Sequence, residues 1–270
     1  MTLDARHMIG THDVLLLTLD TLRYDAAQRM LADGRTPNLA RYLPYGWELR
    51  HSPGSFTFAA HAAFFAGFLP TPSTPGKHPR LFALRFPGSE TTTDQTCILD
   101  APDIVHGLAD RGYHTICIGG VGFFNKQSAL GNVLPGLFAE SHWSPTLGVT
   151  DPFSTEIQVR LAVTRLAAAP PGRRVFLFLN VSAIHQPNCM YLPGATVDTL
   201  ESHAAALAYV DSQLPPLFGA LRARGPTLAI VCSDHGTAYG EDGHVGHRLA
   251  HPVVWNVPYA EFVIEASGGC

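Results

Sequence analysis

Short apolar runs punctuate this chain, and longer stretches between them repeat apolar residues at helical spacing. The runs at Val14–Leu19, His114–Ile118, Val175–Val181, Leu228–Cys232 and Ala260–Ile264 read as strands. Their near-continuous apolar character suits parallel strands covered on both faces. Periodic stretches at Thr36–Leu43, Phe58–Ala66, Asp103–Arg111, Thr155–Ala168 and Leu200–Arg224 read as helices. Alternation of the two predicts an α/β fold, a single doubly wound, mostly parallel sheet sandwiched by helices. Leu69–Pro102, rich in Pro, Gly, Ser and Thr, reads as a long surface excursion that could rim a pocket, and Asn132–Pro152 as another. No internal repeat or interdomain linker interrupts the pattern, so residues 1–270 are read as one domain.

The chemistry gathers where strands end. Leu228–Cys232 runs into SDHGTAYGEDGHVGH, Ser233 to His247. A buried strand ending in Asp234-His235 sets a carboxylate beside an imidazole at the sheet's carboxyl edge, where open α/β sheets bind ligands. That donor pair suits Zn or Mn better than an all-oxygen calcium cage, although Asp-His can also be a plain strand end with a turn. The strand Val14–Leu19 ends at Asp20, which either ligates a metal or caps the next helix. Thr57 precedes the apolar stretch Phe58–Ala66, so its hydroxyl stands at a helix N-terminus that favours anions, or serves there as a simple cap.

Together these segments resemble the alkaline phosphatase superfamily, in its sulfatase-like and phosphodiesterase or phosphoethanolamine-transferase branches. The matching segments come in the family's order. They are Asp20 followed by TPNLARYL, Thr57-Phe-Ala-Ala-His61 followed by Gly67 and Pro70, RGYHTICIGG at Arg111–Gly120, FLFLNVSAIHQP ending near His185, and SDHG with GEDG and His247. The resemblance puts Thr57 in the nucleophile's place and His185 in that of a substrate-facing histidine. Departures narrow the branch. Thr57 stands where sulfatases carry the Cys or Ser that becomes formylglycine, and His61 where they carry Arg. Gly120-Val121-Gly122 replaces a GKWH pattern, and Thr21 replaces a second Asp. Ordinary sulfatase chemistry is therefore not expected. Many relatives are longer, with a small C-terminal subdomain that is expected to be absent here. An open pocket, or one completed by a second copy or a partner, follows from that.

What the resemblance implies is a metal-dependent hydrolase of phosphoric esters, diester or monoester. One divalent ion, Zn or Mn, would be held by Asp20, Thr57, Asp234 and His235; a second, completed by His185 and His247, stays open. Thr57 would attack phosphorus and form a phospho-threonine, since its hydroxyl needs a metal or a base to become nucleophilic. His247 and His185 would contact phosphoryl oxygens or protonate the leaving group. His61 is read as substrate-binding. Asn125 and Lys126 reach substrate from a loop or form a solvated turn, and His244 supports the site or faces solvent. Among the fourteen histidines, His251 and the remainder are read as structural or ordinary. Asp211 is read as a structural or surface residue of its helix. Two other functions remain: a phosphoryl or head-group transferase with the same centre, and a non-catalytic ligand-binding member of the fold.

Composition then limits partners. A net charge of −4 argues against nucleic acid. No run reaches membrane-spanning length, and MTLDARHMIGTHD lacks the pattern of a secretory signal. Of the five cysteines, Cys117 and Cys232 fall inside strands and read as buried thiols in a reducing cytoplasm, and Cys270 as part of a disordered tail. A small-molecule phosphoric ester is thus the expected partner, without nucleic acid or membrane, in a cytoplasmic protein.

Overall fold

The computed structural model describes residues 3–67 and 103–267. The Leu69–Pro102 excursion and Cys270 lie outside them. Among the described residues nine strands follow in chain order: β1 Asp13–Leu19, β2 Glu48–His51, β3 His114–Ile118, β4 Glu140–His142, β5 Val175–Val181, β6 Thr227–Cys232, β7 Ala238–Tyr239, β8 Val245–Gly246 and β9 Asn256–Ile264. Seven form one sheet in the order β2-β9-β6-β1-β5-β3-β4, and β7 and β8 pair separately. β6, β1, β5, β3 and β4 run parallel; β9 runs antiparallel to β6, and the edge strand β2 antiparallel to β9. This is the α/β, mostly parallel sheet that the sequence pattern predicts.

Alternate residues of the central strands supply two cores. Leu15, Leu17, Leu19, Leu177 and Leu179 pack on the side of the helices Tyr24–Ala32, Ser154–Ala168, Leu200–Gln213 and Pro215–Arg224. Val14, Cys117, Phe176 and Phe178 face the other side, against Phe65, Leu108 and Phe124. Both faces are covered, so β5 is buried at every residue. Cys117 and Cys232 are free thiols buried in their strands.

Several elements differ from the sequence reading. The helix expected at Thr36–Leu43 is only Pro37–Ala40. Its first backbone amides are capped by the buried Asp211, whose carboxylate accepts from Asn38 N and Leu39 N. Leu200–Arg224 is two helices, because Pro215 lacks an amide proton and starts a new helix after Gln213. Asn132–Pro152 contains β4, which extends the sheet beside β3. Helix Tyr24–Ala32 and strand β2 were not expected. All four β2 residues are exposed, so that strand has no apolar alternation to betray it.

Candidate metal and nucleophile centre

Register builds the centre. β1 and β6 lie side by side in parallel with Thr18 level with Cys232, so the residues two beyond each, Asp20 and Asp234, emerge together at the carboxyl edge. Both are fully buried. Asp234 Oδ1 accepts from the amides of Thr21 (3.2 Å) and His235 (3.0 Å). Asp20 Oδ2 accepts from Asn180 Nδ2 at 3.1 Å. The other two oxygens, Asp20 Oδ1 and Asp234 Oδ2, are buried with no hydrogen-bond partner. An unpartnered buried carboxylate oxygen is costly unless something cationic meets it.

His235 completes the set. Its Nδ1–H donates to Gly236 O at 2.9 Å, which leaves Nε2 free, 3.5 Å from Asp234 Oδ2 and 4.0 Å from Asp20 Oδ1. A β-carbon on Gly236 would sit 2.0 Å from Val253 O, so only glycine lets the chain pass there and hold His235 in place. Asp20, Asp234 and His235 each offer a ligand atom, all within 4.8 Å of one another. Two carboxylates and an imidazole are a donor set for a divalent transition ion, and the two orphaned oxygens fit one. Electrostatics agree. Burial, then repulsion from Asp234, pushes the Asp20 carboxyl up to about 6. Burial pushes Asp234 up to about 7 and holds the His235 imidazolium down.

Thr57 is the first residue of the helix Thr57–Ala66 and is 3 % exposed. Its Oγ1 lies 3.4 Å from Asp20 Oδ2 and 3.3 Å from His235 Nε2, so the hydroxyl touches two of the three donors. Gly54 lets the preceding turn fold over the helix start: a β-carbon there would come within 2.5 Å of Ala60 N. Thr57 opens its helix, and the unpaired amides of a helix's first turn favour an anion.

A cavity of about 280 Å³ is lined by Thr57, Ser128, His185 and His247, and by Val121, Phe123, Leu130 and Val149. The His247 ring stands 4.6 Å from that of His235 and 5.5 Å from that of His185. Burial, with the neighbouring His235 and His185, lowers His247 to about 3. At neutral pH it is therefore a neutral imidazole, fit to hydrogen-bond an oxygen but not to act as a strong acid. The segment carrying His247 is tied back to the body by Glu241, which pairs with the buried Arg23 and accepts from Tyr239 N.

The sulfatase family model matches residues 12–259. The chain belongs to the sulfatase family. No curated protein matches its sequence. Among solved structures, the C-terminal periplasmic domain of phosphoethanolamine transferase EptC from Campylobacter jejuni superposes with a TM-score of 0.62 at 14 % identity, over 94 % of this chain and 80 % of that one. The lipoteichoic acid synthase LtaP from Listeria monocytogenes gives 0.63 at 13 % identity, over 93 % and 65 %. The EptC domain from Escherichia coli, in complex with Zn, gives 0.60 at 10 % identity, over 95 % and 74 %. These likenesses show a shared fold.

Six of the sequence-predicted residues of this sulfatase family member meet at one place: Asp20, Thr57, Asp234, His235, His185 and His247. Three others do not join them, and a fourth, His61, backs the centre at Asp234 without lining the cavity. His61 is fully buried behind the nucleophile, among the rings of Phe64, Phe65, Phe124 and Phe178. Its Nδ1 meets Thr57 O at 2.8 Å and lies 3.7 Å from Asp234 Oδ2, and its Nε2 meets Thr18 Oγ1 at 3.1 Å, so it binds the helix to the sheet behind the carboxylates. Burial lowers it to about 3. His61→Ala is expected to cost about 2–4 kcal/mol of stability, read from denaturant unfolding, through the cavity and the lost hydrogen bonds. An unchanged midpoint would contradict this packing role.

Lys126 turns away from the cavity: its Nζ donates to Ser141 O at 3.1 Å. Lys126→Ala is accordingly expected to leave kcat/KM within about twofold of the parent, as for a surface contact. Asn125 is spent within its loop, where its Oδ1 accepts from Gln127 N and packs against Gly131. His244 is exposed and lies beside His251, which caps its own short helix and pairs with Asp242.

Asn180 was missed. It is fully buried, donates to Asp20 and Thr18, and accepts from the amides of Gly120 and Val121. A lone amide in the apolar run FLFLNV was the available signal. Thr21 was read only as a missing Asp. Its φ of 63° is uncommon for a β-branched residue, and that conformation delivers its amide to Asp234.

Proposed function

We propose that the chain is a metal-dependent enzyme that cleaves phosphoric esters by transferring the phosphoryl group to Thr57 and then to water. The observation that carries this reading is the pair of orphaned oxygens, Asp20 Oδ1 and Asp234 Oδ2, beside His235 Nε2 and in reach of the Thr57 hydroxyl. Asp20, Asp234 and His235 would hold one ion, with Thr57 completing the set. When bound, a divalent transition ion supplies positive charge that eases loss of the Thr57 proton and offsets charge developing on phosphorus oxygens.

The residues of the chain do the remainder. Thr57 gives up its hydroxyl proton to solvent and its Oγ1 bonds to phosphorus, while the bond to the departing alcohol breaks. The departing oxygen takes a proton from His185 or from water. His247, neutral and lining the cavity with Thr57, donates a hydrogen bond to a non-bridging oxygen. Water then attacks the phospho-threonine and restores Thr57. His61, Asn180 and the amide of Thr21 keep the nucleophile and the carboxylates aimed throughout.

A second reading replaces water by an acceptor alcohol. It is favoured by the neighbours named as a phosphoethanolamine transferase and a lipoteichoic acid synthase. The test is turnover of nitrophenyl phosphate, bis-nitrophenyl phosphate and nitrophenyl sulfate with Zn or Mn, with products analysed with and without added alcohols. Phosphoric-ester cleavage into water supports the hydrolase, and product ester formed only with alcohol supports the transferase. Turnover of the sulfate alone would contradict both.

A further inference from the structure

A second concavity lies at the opposite end of the sheet from Thr57. Arg173 and Arg174 stand just before β5, Arg224 ends the helix before β6, and Asp13 opens β1. The seven residues of β1 carry the chain from Asp13 to Asp20, roughly 20 Å at the rise of a strand. The three arginines and the loop Pro170-Pro171-Gly172 enclose a cavity of about 300 Å³ there. Among the described residues no Asp or Glu lines it.

Two of the guanidinium groups are fixed in advance. Arg224 donates from Nε to Asp13 Oδ2 at 3.0 Å, from Nη1 to Leu166 O at 2.9 Å and from Nη2 to Arg173 O at 3.1 Å. Arg173 donates from Nε to Gly112 O at 3.0 Å and from Nη2 to Tyr113 O at 3.1 Å. Each still has N–H groups to spare, because a guanidinium carries five. Arg174 differs. Its Nη1 lies over Gly225, 3.0 Å from the place a β-carbon would take there, and no described residue accepts from it.

Charge gives this arrangement a direction. Of the three guanidinium groups only that of Arg224 has a carboxylate partner among the described residues, the buried Asp13. Two positive charges are left facing one concavity in a chain whose net charge is −4. Like charges held together repel, and an anion between them relieves the repulsion. The planar fork of an arginine matches two oxygens of a phosphoryl group. No aromatic ring lines the cavity, so it offers a nucleotide base nothing to stack on. Its volume, set against roughly 30 Å³ for a water in the liquid, leaves room beyond a single tetrahedral anion.

We propose that this cavity binds a small, multiply charged phosphoryl anion of the diphosphate class, held by the forks of Arg173, Arg174 and Arg224. The site shares no residue with the catalytic centre, and the proposal stands whether or not Thr57 is the nucleophile.

The test titrates the isotopically labelled, metal-free full chain with inorganic diphosphate at pH 8 and constant ionic strength, read at the amides of Gly172 and Gly225. Without an ion the catalytic centre presents the Asp20 and Asp234 carboxylates and repels the anion, so those two amides report the arginines alone. Saturable shifts at both are expected, with diphosphate bound about tenfold or more tighter than sulfate. Arg174→Gln, which breaks no bond to a described residue, should weaken diphosphate by about tenfold or more with the unfolding midpoint unchanged. Arg174→Lys should recover part of that loss, as a charge without the fork. Shifts that never saturate, equal shifts with chloride, or an unchanged affinity in Arg174→Gln would overturn the proposal. Binding to vesicles containing phosphatidic acid without a response to free diphosphate would overturn it as well, by making the arginines a membrane contact.

Discussion

Thr57→Ala is expected to lower phosphoric-ester turnover by ~10³-fold or more, with the fold intact. The hydroxyl meets the centre, at 3.4 Å from Asp20 Oδ2 and 3.3 Å from His235 Nε2. Alanine keeps the helix start, since Thr57 makes no side-chain cap and the cap position is Phe56. The loss should therefore fall on kcat, with thermal unfolding little changed. Serine, which restores a hydroxyl at nearly the same place, should recover much of the rate, whereas valine, similar in shape but without the oxygen, should not. Activity retained in the alanine variant would assign the attack to another group, with Ser55 or water as the candidates.

Metal affinity is expected to fall steeply in acid, on the order of 10³-fold between pH 8 and pH 5. The sign follows from the carboxylates. In the metal-free fold burial raises Asp234 to about 7 and Asp20 to about 6, so both are ionised at pH 8. As pH falls through 7 and then 6, each takes up a proton that an ion must displace. Affinity then falls tenfold per pH unit for each proton displaced. His235 works in the opposite sense: burial lowers its pKa, so it contributes less to the acid loss than an ordinary imidazole would. Competition with a chelator of known affinity, corrected for its own protonation, measures the slope. A flat profile would mean that these two carboxylates do not hold the ion. Asp234→Asn should both weaken binding and flatten the slope.

Much of the fold was legible because both faces of the central strands are covered. β3 and β5 have the bounds read from the sequence, since residues buried on both sides make unbroken apolar runs. Where one face is open, the signal fades. β2 is ELRH, wholly exposed, and Tyr24–Ala32 buries only small residues and one methionine. The break at Leu214 was written in Pro215-Pro216, and periodicity alone reads through it.

The site divides in the same way. Residues at strand ends were found because a sheet delivers every strand end to one edge, and register does the rest: Asp20 and Asp234 meet through the pairing of Thr18 with Cys232. Spacing along a helix gave less. His61 sits one turn after Thr57, and its ring lies in a nest of phenylalanines behind the centre, 3.7 Å from Asp234 Oδ2 and not in the cavity lining. Loop residues gave least. Nothing in GFFNKQ distinguishes Phe123, which lines the cavity, from Asn125, which does not, because that choice is made by the helical turn Gly122–Phe124 and by packing on Phe56 and Phe58.

The account rests on a covalent step at Thr57, and the stereochemical course at phosphorus tests that step most directly. A chiral nitrophenyl phosphorothioate diester, turned over by the metal-loaded protein in isotopically labelled water, yields a product whose configuration can be assigned. Two in-line displacements, first by Thr57 and then by water, predict net retention. Net inversion would mean that water attacks phosphorus in one step, and would contradict the nucleophile assigned to Thr57.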